Sequence, residues 1–153
     1  MTSETAQVKA SNKIVVDSIN LHSQTKKVET ATSMYAGRLV KKGTNDDDVI
    51  VGTETLANLG WLGYEHTTKK HRPATVDTIY LQNAQATIIN GPGIILVASI
   101  KSGEAGVKGI LLKGAADGQL AVAVATDNAI AVAEETVTGA ATTGSDIMVR
   151  SLI

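Results

Sequence analysis

Ionisable side chains cluster at two places in this sequence. The first is Asp46-Asp47-Asp48, which follows Gly43-Thr44-Asn45 and offers the oxygen ligands that calcium prefers. A helix-loop-helix calcium loop needs carboxylates at alternate positions, a glycine at the sixth and a bidentate Glu at the twelfth. Three consecutive aspartates in extended backbone cannot all face one ion, so the run reads as a solvated acidic turn. The second cluster is His66-Thr67-Thr68-Lys69-Lys70-His71-Arg72. His66 and His71 are too far apart for one face of a helical turn, the neighbouring cations oppose a metal, and His22 is remote, so no metal is expected. The basic run follows Trp61 and Tyr64, which pairs cations for phosphate with rings for stacking. Trp61, Tyr64, Lys69, Lys70 and Arg72 are therefore the candidate surface-contact group. With 14 Lys and Arg against 15 Asp and Glu, the net charge of -1 recruits neither nucleic acid nor an anionic membrane. The run reads as a solvated loop or a contact for an acidic protein surface.

No catalytic pattern emerges. The chain has no cysteine, which excludes disulfides, thiolate zinc sites and a cysteine nucleophile. Neither G-x-x-x-x-G-K-[ST], nor G-x-G-x-x-G between a strand and a helix, nor G-x-S-x-G occurs. Nothing in the spacing sets a nucleophile beside a base and an orienting acid. Neither enzymatic activity nor a cofactor is expected.

The elements that must carry any contact surface are strands. From Gly93 onward the apolar pattern has a period of two, and turn signals punctuate it. Strands are expected at Ile94–Ile100, Gly109–Lys113, Gln119–Thr126, Ala129–Glu135 and Ile147–Ile153. Within Leu120–Ala125 and the segment after it, branched residues alternate with alanine, which places Leu120, Val122, Val124, Ile130 and Val132 towards the core. Earlier in the chain, strands are expected at Arg38–Lys41, Val49–Val51 and Ala86–Ile89, with moderate alternation over Ala74–Leu81 and a helical turn or two at Thr53–Asn58. Residues 1–13 read as a free polar arm. Lys13–His22 carries one short strand, and Ser23–Thr32 is a polar stretch. Trp61, Tyr35, Tyr64 and Tyr80 are the only aromatic residues in 153, so the core is aliphatic and subunit contacts are expected to add stability. No apolar run reaches the roughly 20 residues of a membrane-spanning helix. The polar N-terminus carries no export signal, so a soluble protein made in the cytoplasm is expected.

Residues 106–153, GVKGILLKGAADGQLAVAVATDNAIAVAEETVTGAATTGSDIMVRSLI, resemble the head decoration, or capsid cement, proteins of tailed viruses. Tyr35-Ala36-Gly37-Arg38-Leu39-Val40-Lys41-Lys42-Gly43 is similar to the first strand of that module. The resemblance implies an all-β fold, a small β-barrel or β-sandwich (β-tulip-like), with little helix and an extended N-terminal arm over residues 1–30. The β-rich decoration domain would span 31–153, and residues 44–90, longer than the compact members need, would be either part of the module or an inserted subdomain. It also implies a virion protein, often a homotrimer, that sits on the outer surface of an icosahedral shell of HK97-type major capsid protein and clips neighbouring subunits. Residues 1–22 would be the capsid-contact arm, with Lys9, Lys13, Ile14, Val15, Val16, Ile19 and Leu21 as its contacts. The alternative is a glycan- or cell-surface-binding β module of a virion or cell envelope, for instance a head fibre base or adhesion domain, that stacks sugars on exposed rings.

Overall fold

The computed structural model describes residues 4–53, 58–137 and 145–153. A short helix, α1 (Glu4–Ala10), is followed by β1 (Val15–Asp17), β2 (His22–Val28), β3 (Leu39–Lys42), β4 (Asp48–Val51), β5 (Asn58–Leu62) and β6 (Gln85–Asn90). The second half carries β7 (Ile95–Ile100), β8 (Leu111–Gly114), β9 (Leu120–Val122), β10 (Ala131–Ala133) and β11 (Ser145–Ser151). The all-β expectation holds, and the small-barrel form of it is realised twice.

Strands β2 to β6 close into a barrel in the order β2-β4-β3-β5-β6. The pairing of β2 with β4 is parallel and every other pairing in the ring is antiparallel. The remaining strands form a sheet in the order β1-β7-β11-β10-β8-β9. Ile100 of β7 also pairs in parallel with Leu120 of β9, which brings the last strand back onto β7 and closes a second ring. Closing a sheet on itself removes exposed edges.

The two rings have one connectivity, strand for strand, with β2 to β6 matched by β7 to β11. The register matches as well: Val40 opposite Val51 corresponds to Leu112 opposite Val122. Val28 beside Val49 corresponds to Ile100 beside Leu120. Hydrogen bonds outside the ladders repeat too. Gly37 N–H donates to Leu62 and Gly109 N–H to Ala133, Leu62 N–H donates to Arg38 and Ala133 N–H to Ile110, and Gly52 N–H donates to Leu39 and Ala123 N–H to Leu111. The chain is thus a structural duplication, a tandem of two barrels of one design.

The interiors correspond as well. Val28, Val40, Val49, Leu62, Ala86 and Ile88 fill the N-terminal barrel, where the C-terminal barrel has Ile100, Leu112, Leu120, Ala133, Ile147 and Val149. A third apolar layer lies between the barrels. Leu39, Trp61 and Ile89, on the outside of the N-terminal barrel, join the cluster formed by Ile94, Leu96, Val97 and the C-terminal barrel. The Trp61 indole N–H donates to Ser151 Oγ at 3.0 Å across this seam. Gly37, at φ +85°, lets the two backbones meet, because a Cβ there would lie 2.3 Å from the carbonyl oxygen of Val97.

Several expectations need correction. Of the free arm expected over residues 1–13, residues 1–3 lie outside the described residues, and the rest is not free: α1 turns there and the chain continues as β1 against β7. The polar stretch Ser23–Thr32 holds most of β2, whose outward residues are exposed while its backbone pairs with β6 along its length. Residues 44–90 are not an insertion, since they supply β4, β5 and β6, three strands without which the first barrel would not close. Ala74–Leu81 forms turns and no strand. Of the helical turn expected at Thr53–Asn58, residues 54–57 lie outside the described residues, and Asn58 starts β5. Val132 and Val124 do not face the core; Ala131 and Ala133 do, and Val124 is exposed. Leu120 and Ile130 are buried as expected, so the branched residues mislead at Val124 and Val132, where β10 turns its alanines inward.

Candidate interaction surfaces

The N-terminal segment binds to the body through contacts that reach far along the sequence. Helix α1 ends where the Asn12 and Lys13 N–H groups donate back to Lys9 and Val8, with Asn12 at φ 57°. The Asn12 side chain then holds the segment: its amide donates to the Tyr64 hydroxyl at 3.0 Å, and its oxygen accepts from the Val76 N–H at 2.9 Å. The two oxygens of Glu65 accept the N–H groups of Ile14 and Val15, each at 2.9 Å. A carboxylate there satisfies two donors that no neighbouring strand reaches. Ile14 is buried in the shared core, and its carbonyl accepts from Val97.

Lys9 lies between Asp77 at 2.5 Å and Asp146 at 3.0 Å. Burial alone would lower its pKa, but hydrogen bonding to Asp77 and the charge of Asp146 outweigh that and raise it. Thr5 donates its hydroxyl to Glu135, which also accepts the Met148 N–H at 2.8 Å. Beside Lys9 a cleft of about 240 Å³ is lined by Tyr35, Arg38, Asp77, Ser99 and Asp146. Arg38 stacks 5.1 Å from the Tyr35 ring centre and donates to the Asp117 carbonyl. Burial lowers its pKa, an effect that nearby Asp117 partly offsets. The cations of this cleft are already matched by carboxylates, carbonyls or a ring.

Several of the arm's expected capsid contacts are engaged with the chain's own body instead. Ile14 is buried, Val15 and Leu21 are half-buried, and Lys9 is engaged with two aspartates. Lys13, Val16 and Ile19 remain exposed, Ile19 most of all at 68%. The residues that hold the segment, Asn12, Glu65, Asp77, Glu135 and Asp146, were missed. They lie up to 137 positions from their partners, and no local spacing could reveal them.

The second candidate group separates in the fold. Trp61 and Tyr64 are buried, so neither ring can stack a base or a sugar. The Tyr64 hydroxyl donates to the Pro73 carbonyl at 2.7 Å, and Arg72 lies over the Tyr64 ring at 4.9 Å. Lys69 and Lys70 are exposed in the turn beyond. A ring flanked by apolar strands gains more from burial at the seam than from exposure, which is why an aromatic-basic pattern in the sequence did not become a patch. Tyr80 is buried as well, and Tyr35 is half-buried beneath Arg38, so no ring is left standing free for sugar stacking.

The acidic run has a structural role. Asp46 pairs with Lys42, Asp47 with Lys26 and Asp48 with Lys27, three lysines in three directions. Asp48 is buried and also accepts from the Asn45 amide at 2.8 Å, which sets the β3–β4 turn. Among the described residues no group of three or more metal-ligating side chains converges. No described helix is long and apolar enough to cross a membrane.

β1 terminates its sheet: it pairs with β7 through Val15 and Asp17, Glu65 caps the Ile14 and Val15 N–H groups, and Val16 and Ile19 stand exposed beyond that cap. An open strand edge is a template for a partner's strand.

No family model and no curated protein matches the sequence. Among solved structures, the fold is similar to the crystal structure of the N base of the head fiber protein gp8.5 of bacteriophage phi29, with a TM-score of 0.53. The match covers 86% of this chain and 93% of the other at 14% identity. The two proteins share a fold.

Proposed function

We propose that this protein is a structural component of a tailed-phage virion, carried on the outer surface of the head and acting without catalysis. The observation that carries this reading is the fold it shares, over most of its length, with the base of a phage head fiber. The decoration-protein resemblance of residues 106–153 and 35–43 points the same way. In this reading the major capsid protein is the partner, and the protein clips neighbouring capsid subunits.

The contact we assign is the sheet edge at β1 beyond the Glu65 cap, where Val16 and Ile19 stand exposed. A capsid loop would add a strand there, with Val16 and Ile19 as the apolar side chains that specify it. Many identical weak contacts on one shell would combine by multivalency. The docked helix, in place of a free arm, lowers the ordering cost of such binding. The sugar-stacking part of the alternative loses support because Trp61, Tyr64 and Tyr80 are buried, whereas its head-fibre form draws on the same structural likeness as the virion reading.

Co-sedimentation with shells that lack the protein tests this reading. Wild-type protein is expected to saturate at a stoichiometry set by icosahedral symmetry. The double variant Val16→Asp, Ile19→Asp is expected to keep its circular dichroism spectrum and lose binding. Unbound wild type would refute the virion-surface role, whereas full binding by the variant would move the contact away from β1.

A further inference from the structure

The duplication makes each surface of one barrel comparable with the same surface of the other, and one pair differs sharply. On the N-terminal barrel, Leu39 pairs across to Trp61, and Trp61 to Ile89, in a row across β3, β5 and β6. All three are fully buried because the C-terminal barrel covers them. By register the same row on the C-terminal barrel is Leu111, Val132 and Arg150. There Leu111 is 49% exposed, and exposed Val107 and Leu152 flank the row.

Glycine geometry gives an independent sign. Gly37 and Gly109 occupy equivalent positions, hold nearly the same φ of +85° and +90°, and donate equivalent hydrogen bonds to Leu62 and Ala133. At Gly37 the absent Cβ is what allows the backbone of β7 to approach. At Gly109 nothing lies within 4 Å. The C-terminal barrel thus repeats the shape of a face that accepts another barrel, with the space in front of it open.

We propose that this face, centred on Leu111 and Val132, docks a second copy of this chain by repeating the relation between the chain's own two barrels. In that relation the β3-β5-β6 face does not meet its own equivalent; it meets β7 and the end of β11. Repeated between chains, the face would meet β2 of the next copy, where Thr25 stands in the register of Val97. His22, Ser23, Gln24 and Thr25 are all exposed there. Such a contact is head-to-tail and gives a ring if the rotation closes. The inference does not depend on the virion reading, because it concerns the purified protein alone.

Sedimentation velocity on the full chain tests it, using Leu111→Glu, Thr25→Glu and an equimolar mixture of the two. Both substitutions are at exposed positions, and circular dichroism checks that each variant is folded. Wild type is expected to associate with rising concentration, and each variant alone to sediment as a monomer. The mixture is expected to recover a dimer and nothing larger, because one intact face of each kind remains in the pair. A wild type that stays monomeric, or variants that associate as wild type does, would overturn the proposal. Failure of the mixture to form a dimer would overturn its head-to-tail form.

Discussion

The two barrels share a ring of pairings but are filled and covered differently. Inside the N-terminal barrel the packing includes Met34 and Tyr80, whose hydroxyl donates to the Gly63 carbonyl at 2.7 Å. Burial pushes that hydroxyl up to about 12, against a small opposing effect of Thr67. The C-terminal barrel has Ala133 where its twin has Leu62, and its core merges with the seam between the barrels. Outside, the contrast reverses, since the N-terminal row Leu39-Trp61-Ile89 is buried and its C-terminal counterpart is open. Backbone pairing sets the ring, whereas the neighbour decides which outward residues can be apolar.

The two glycines offer the largest break in that comparison. Gly37→Ala places a methyl against the Val97 carbonyl as well as forcing a side chain into left-handed backbone. It is expected to cost roughly 3 kcal/mol or more in urea unfolding, of which left-handed backbone accounts for about 1–2. Gly109→Ala meets open space and is expected to cost only that backbone share, about 1–2 kcal/mol. Equal losses would show that the seam does not depend on the close approach.

The matched leucines sharpen the same contrast at smaller amplitude. Leu39→Ala empties a fully buried site and is expected to cost about 2–5 kcal/mol. Leu111→Ala, half-exposed in a single chain, is expected to cost less than about 1 kcal/mol in dilute solution. Thermal melts at low concentration check the pair. A large loss at Leu111 would place it in a core that the burial pattern does not contain.

Acidification should give the smallest effect, and one shared by both barrels. A hydrogen bond from the Asn45 side chain, aided by Lys27, holds the Asp48 carboxyl below its ordinary 3.8. The Val124 N–H, aided by Lys113, does the same for Asp127. The folded state thus binds fewer protons than the unfolded one in this range. The contribution is present above the ordinary carboxylate value and is lost as pH falls through the folded value. Melting temperature should drop below about pH 4, and Asp48→Asn or Asp127→Asn should each flatten part of that slope. An unchanged slope in both variants would assign it to other carboxylates.

Strands that are short apolar runs between turn signals were legible in the sequence, as at Ile95–Ile100 and Gln85–Asn90. β2 was not, because six of its seven residues are polar or charged and only Val28 reaches the core. β5 was hidden by Gly60, a residue that weakens any strand pattern but here, at φ +155°, lies against the Ile89 carbonyl. The duplication left a faint trace: Gly37, Leu39 and Lys41 recur as Gly109, Leu111 and Lys113. Three matches in so short a window signal nothing until the pairings align them. The anchors of α1 were illegible for another reason, since ion pairs between distant residues have no periodicity.

Those anchors also imply an order of events during synthesis. Residues 22–90 contain every strand of the first barrel, so that ring can close while the second half is still being translated. The segment before it can reach Glu65, Tyr64 and Asp77 at that stage, but not β7, Glu135 or Asp146. The segment that precedes the first barrel is therefore fastened fully only after the second barrel has been made, and its attachment straps the first-made barrel to the last-made one.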